Sequence, residues 1–230
     1  MAVSVAASAV LLQACSAVPL PEAQSGVDLG GELAFTLPVE SMIGRRFETV
    51  VRQQYDFSCG SAALATLLRF HYDDPQSEQS VFIGMFRDGD QTQIRKLGFS
   101  LLDMKRYLAA RHISADGYHV SVEQIMKAQT PGIALINFEG YSHFVVVKGF
   151  DRQTLILGDP SLGLRREDIK TFIKQWNGVY FVLNGRTEIA RSHFGQVRDR
   201  DRVPGPPDFW SYDPLDLAAL ALTRPLPNEL

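Results

Sequence analysis

The sequence predicts an α+β fold, with helices from the N-terminal half packed on an antiparallel sheet drawn from the C-terminal half. Residues 59–128 carry helical spacing and helix-start signals, and residues 131–183 carry short β-branched or apolar runs split by turns. The chain has 230 residues, is 45% hydrophobic and has a net charge of −3, so it has enough apolar side chains for a sizeable core.

The elements follow in order. Residues 32–39 (ELAFTLPV) and 47–52 (FETVVR) have strand-like patches. Ser58 precedes CGSAALATLLRFHY, where Leu64, Leu67, Leu68 and Tyr72 fall at near-helical spacing and Ser58 is the expected N-cap. Residues 77–97 read as one or two short helices. Ser100 with Asp103 and Ser121 with Gln124 fit capping boxes, opening LLDMKRYLAAR and VEQIMKA. Beyond Pro131, the runs GIALINF, HFVVVKGF, TLILGD and GVYFVL read as strands, with PSLGLRR as a turn and REDIKTFIKQW as a helix before the last strand. The expected organisation is a signal segment over 1–15, a linker and strand region over 16–46, a catalytic-type domain over 47–185 and an extension over 186–230. In that extension DPLDLAALALTRP is a candidate short helix.

Composition narrows the function. Lysine and arginine total 23 against 26 acidic residues, which argues against a nucleic-acid partner. Two cysteines, Cys15 and Cys59, cannot build a disulfide scaffold or a Cys-rich zinc site. His71, His112, His119 and His193 show no metal-ligand spacing, so no metal or other cofactor is expected. No apolar run reaches the roughly 18 residues of a spanning helix. The short apolar run AVSVAASAVLL, followed by LQACS, has the length of a signal-peptide core and resembles a bacterial lipobox. Export to the periplasm or envelope is therefore expected, with Cys15 as a lipidation site and membrane attachment through that lipid. No Lys or Arg precedes the run, a departure from the usual pattern. Cys59 would then be a lone thiol in an oxidising compartment, which is usually avoided unless the thiol has a task.

Four elements carry chemistry. Cys59 sits at the predicted first turn of a helix, where partial positive charge and unpaired N–H groups stabilise a thiolate. Gly60 leaves room for a close approach, and Ser61, Ala62 and Ala63 let the helix lie near a facing sheet. His143 opens a strand after the turn Glu139-Gly140-Tyr141-Ser142, where an imidazole can reach a cleft, take a proton from a thiol and return it to a leaving amine. Asp159 closes the next strand, 16 residues on, at hairpin-like separation, and could orient His143. Gln53 or Gln54, together with the Cys59 N–H, could supply an oxyanion hole. Each element has an ordinary structural alternative: a core cysteine, a sheet-edge histidine, an Asp-Pro turn, a polar strand end. Tyr141, beside His143, would line the substrate cleft or cover the turn.

The blocks RQQYDFSCGSAALATLL, GYSHFVVVKGF and LILGDPSLGLR, in that order, resemble the bacteriocin-processing or double-glycine cysteine peptidases of the papain-like superfamily. The resemblance covers about residues 47–183. It implies a papain-like fold, a peptide or protein substrate and a thioester mechanism. It implies Cys59 as nucleophile, His143 as general base, Asp159 as the residue orienting it, and Gln53, six positions before the cysteine, as the oxyanion glutamine, with Gln54 as the alternative. Gly60 and Tyr141 would contact substrate. The family often places Asp before the nucleophile, where this chain has Ser58. Many members are fused to a transporter, yet this sequence has no spanning helix and no G-x-x-x-x-G-K-[ST] loop, so no ATP binding is expected and cleavage after Gly-Gly does not simply carry over. The chain's own Gly30-Gly31 offers a site for self-processing but reads more simply as a flexible turn. The competing readings are another acyl transferase or amidase on the same scaffold, and a non-catalytic envelope lipoprotein retaining the fold for binding or assembly.

Overall fold

The computed structural model describes residues 41–203, apart from Glu139. The signal segment, Cys15, residues 32–39, Gly30-Gly31 and the candidate helix in residues 213–225 lie outside the described residues. The elements are α1 (Met42–Phe47), α2 (Cys59–His71), α3 (Glu78–Asp88), α4 (Gln91–Leu97), α5 (Leu101–Ala110), β1 (Ala115–His119), α6 (Val122–Ala128), β2 (Gly132–Phe138), β3 (Tyr141–Asp151), β4 (Thr154–Asp159), β5 (Gly163–Asp168), α7 (Ile169–Gln175), β6 (Trp176–Leu183), α8 (Thr187–Ser192) and α9 (Val197–Arg202).

The six strands form one sheet in the order β1-β6-β2-β3-β4-β5, with every pairing antiparallel. The architecture is α+β. Helix α2 runs against the sheet as the central helix, and Ala62 through Leu68 are buried on all sides. One core gathers Leu64, Leu67 and Leu68 of α2 with Met85 of α3, Met104 and Leu108 of α5, and Ile133, Phe144 and Val146 of the sheet. Alternate strand residues Ala134, Ile136, Val145 and Val147 point to the opposite face, where α6 (Val122, Ile125) and α7 (Phe172) cover them. Helices therefore lie on both faces, because β2 and β3 are apolar on both sides and each side needs a cover.

Both capping boxes are present. Ser100 Oγ accepts from the Asp103 N–H while Asp103 accepts from the Ser100 N–H, and Ser121 with Gln124 repeats the exchange. Ser77 with Ser80 forms a third at the start of α3. Ser58 behaves differently from expectation. Its hydroxyl closes a turn with the N–H and carbonyl of Tyr55, at 3.1 and 3.0 Å, and makes no cap bond to α2.

Four stretches depart from the local pattern. Residues 47–52 form no strand; Phe47 ends α1 and the chain turns. ADGYH forms β1 because it pairs with β6, despite poor strand propensity. Residues 163–168, expected as a turn and the start of a helix, form β5, an edge strand with a polar exposed face. Residues 187–202 contain two short helices that pack on the body.

That packing has a buried ionic centre. Lys148, 1% exposed on β3, reaches Asp199 of α9 at 3.2 Å and donates to the Thr49 carbonyl at 2.8 Å. Thr49 Oγ1 donates to the other Asp199 oxygen at 2.7 Å, and the ammonium stands 5.2 Å from the Phe70 ring centre. Burial lowers the Lys148 pKa, and Asp199 opposes that. Nearby the Gly195 N–H donates to the Lys148 carbonyl at 2.8 Å. A Cβ on Gly149 would stand 2.6 Å from the Gly195 Cα, so this approach requires glycine.

Candidate active site

Cys59 opens α2 with its side chain buried to 5% exposure. The segment before it is pinned from both sides. The Val51 N–H donates to Thr66 Oγ1 of α2 at 2.9 Å, and the Gln53 N–H donates to the Pro160 carbonyl at 3.0 Å. Ser161 Oγ donates to Gln53 Oε1 at 2.9 Å, and Gln53 Nε2 donates to the Tyr55 carbonyl at 3.2 Å. The strap carrying Cys59 is thus stitched to the β4–β5 turn that follows Asp159. Gln53 is half-buried in these contacts, while Gln54 is exposed.

His143 and Asp159 lie at the same end of neighbouring strands. His143 Nε2 stands 2.8 Å from Asp159 Oδ1, and the two are 7% and 2% exposed. Opposite an ionised carboxylate Nε2 is the donor. Nδ1 is then the nitrogen left for the hydrogen bond between His143 and Cys59. Burial pulls the imidazole pKa down, but the bonds to Asp159 and then Cys59 outweigh it and raise it from 6.5 to about 9. Asp159 is closely held. The N–H groups of Ser161 and Leu162 donate to Oδ1 at 2.9 and 3.2 Å, and Arg165 Nε donates to Oδ2 at 3.0 Å. Burial pushes this carboxyl up, but His143, Ser161 and Arg165 together bring it from 3.8 to about 2. The arrangement is a buried thiol, an imidazole and a carboxylate in one chain of contacts, with the imidazole in the middle.

The two remaining expected residues take different places. Gly60 is buried. A Cβ there would meet Phe99 Cβ at 2.8 Å and Met104 Cε at 3.2 Å, so the close approach comes from side chains, and it seats the tip of α2 on α5. Tyr141 is 54% exposed, stacks obliquely near His143 at 6.2 Å and donates through its hydroxyl to the Asp56 carbonyl at 2.8 Å. Burial, then the charges of Cys59 and Asp56, raise its phenol pKa.

Two hollows flank this centre. A groove of about 770 Å³ is lined by Cys59, Phe57, Leu97, Phe99, Leu102 and Tyr141, among others. A smaller hollow of about 260 Å³ lies against His143 and Asp159, again bordered by Tyr141. Among the described residues no group of three His, Cys, Asp or Glu could hold a metal.

Sequence reasoning missed Arg165, which holds the second oxygen of Asp159 and also pairs with Glu167. The signal was present, since alternate residues of a strand beside Asp159 face one way, but reading those residues as a turn concealed it.

The family model for peptidase C39 matches residues 48–188. The chain belongs to this family. It is a cysteine-type peptidase, and its substrate is a peptide or protein. It is 41% identical over 157 residues to a Pseudomonas aeruginosa protein named "Probable functional amyloid protease FapD", covering 68% of this chain and 69% of that protein. A Pseudomonas fluorescens protein of the same name is 41% identical over 156 residues, with the same coverage. Among solved structures, the peptidase domain of Streptococcus ComA, described as a bifunctional ABC transporter in quorum sensing, is 21% identical with a TM-score of 0.49, covering 58% of this chain and 96% of that one. Among the described residues of this C39 peptidase no helix is long and apolar enough to cross a membrane.

Proposed function

We propose that this C39 peptidase cleaves its substrate through a thioester at Cys59, with His143, Asp159 and Gln53 completing the machinery. The observation that carries this is the position of His143, its Nε2 at 2.8 Å from Asp159 and its charged form favoured by Cys59 as well as by Asp159. His143 takes the thiol proton, and Sγ attacks the carbonyl carbon of the scissile bond. The negative oxygen of the tetrahedral intermediate is held by the Cys59 N–H and the Gln53 amide. That amide has a second N–H beyond the one bound to Tyr55. The C–N bond breaks, His143 gives its proton to the departing amine, and the acyl group remains on sulfur. Water then attacks the thioester, giving up a proton to His143 and releasing the acid and the thiol. Asp159 is a positioning residue: it fixes the ring so that Nδ1 meets sulfur.

The relatives named as functional amyloid proteases support substrates from a comparable amyloid-forming system. The apolar run and LQACS in the sequence support action in the bacterial envelope, with Cys15 as a lipid anchor. Cleavage of a candidate envelope substrate, followed by mass spectrometry, tests the chemistry. Cys59→Ala is expected to abolish turnover, Asp159→Asn to lower it by about 10²–10⁴-fold, and the exposed control Lys127→Ala to leave it unchanged. Equal losses for Cys59→Ala and Lys127→Ala would refute the assignment.

A further inference from the structure

We infer that the hollow beside His143 and Asp159 is the subsite for the first substrate residue on the leaving side of the scissile bond, and that it selects an apolar side chain of medium size. This rests on the peptidase reading of Cys59 and His143. The sidedness follows from the chemistry. The acyl half stays on sulfur, and Cys59 lines the larger groove together with Phe99 and Leu102. The amine half leaves with a proton from the imidazole, and His143 lines the smaller hollow, where Cys59 does not. Tyr141 borders both, so its ring marks the point where an extended peptide passes from one to the other.

The lining supplies the preference. Arg165 is committed to Asp159 and Glu167, so the charges at this hollow are satisfied among themselves. The apolar part of the lining is Ile136, the Tyr141 ring and Leu162 on the turn after Asp159, while the Ser161 hydroxyl is bonded to Gln53. Leu162 is 56% exposed. Its backbone N–H serves Asp159 at 3.2 Å while its side chain remains for a substrate to cover. A Gly or Ala side chain leaves most of the 260 Å³ vacant, and a carboxylate or ammonium would have to break into the pairs that Arg165 already makes with Asp159 and Glu167.

A peptide library tests this without the natural substrate. Proteome-derived peptides are digested with the full chain, and new N-termini are sequenced by mass spectrometry against a Cys59→Ala control. Leu, Ile, Val and Met are expected to be enriched directly after the cut. In well-cleaved peptides remade with Gly or Leu at that position, kcat/KM is expected to rise at least about tenfold from Gly to Leu. Leu162→Glu is expected to move the preference to Lys and Arg, and Leu162→Ser to flatten it. Cleavage without preference after the cut, or a preference that neither variant moves, overturns the subsite and leaves the peptidase reading standing. Cleavage no greater than in the Cys59→Ala control overturns the peptidase reading, and the subsite with it.

Discussion

Replacing Asp159 with Asn removes the negative charge that holds His143 protonated while leaving an amide of nearly the same shape. The folded imidazole titrates at about 9 against 6.5 for the free side chain, which corresponds to about 3 kcal/mol of preference for its charged form. The same hydrogen bond lowers Asp159, so it is counted once, on the histidine; Asp159 also draws on Ser161 and Arg165. A group whose folded pKa is raised stabilises the fold fully below its unfolded pKa and loses that contribution as pH rises through the folded one. The His143 contribution is therefore complete below about 6.5 and gone above about 9. Asp159, lowered to about 2, contributes above 3.8 and loses its share only as pH falls through about 2. Urea denaturation of wild type and Asp159→Asn under reducing conditions should differ by about 3 kcal/mol more at pH 6 than at pH 9.5. What remains at pH 9.5 is the share that Asp159 draws from Ser161 and Arg165. NMR of histidine-labelled protein, with His143 assigned by His143→Gln, should place the midpoint in Asp159→Asn at 6.5 or below. A stability difference that does not change between pH 6 and pH 9.5, or a midpoint still near 9, would refute the reasoning.

Other perturbations have equally definite outcomes. Asp199→Ala strands the Lys148 ammonium, which is 1% exposed, and should cost about 3–5 kcal/mol by urea denaturation. Combining Lys148→Met with Asp199→Leu should recover most of that loss, and no recovery would show that the charge is not the cause. Gly149→Ala should cost about 1–3 kcal/mol and expose the chain near Gly195 to limited proteolysis, because the new methyl occupies the space of that backbone. Ser100→Ala removes a capping box and should lower stability by about 1 kcal/mol in the same urea assay. Tyr141→Phe deletes the bond to the Asp56 carbonyl; a fall in stability of about 1 kcal/mol checks that this bond forms in solution.

The places of Cys59, His143 and Asp159 were legible because each stands at or near a boundary that the local pattern announces, a helix start, a strand start and a strand end, whereas Gln53 follows a stretch expected as a strand that forms none. The central strands and the capping boxes were legible for the same reason, since apolar alternation and Ser-x-x-Asp or Ser-x-x-Gln are short-range signals. The edge strands were not. GLRRED is a strand because β4 offers it a ladder, and its charged face is the one that meets water and Asp159. VRDRDR reads as solvated surface, and only the fold shows that one of its aspartates is buried 3.2 Å from a lysine 51 residues earlier. Sequence spacing carries no trace of such a pairing, because the cause lies in desolvation at a distant site.

The Lys148–Asp199 pair has a consequence for biosynthesis. Translation delivers β3 with its lysine well before α9 with its aspartate, and until then nothing of opposite charge stands ready to neutralise that ammonium. A chain ending short of α9 would therefore bury the Lys148 ammonium of the strand that presents His143 without Asp199, and should be less stable for it.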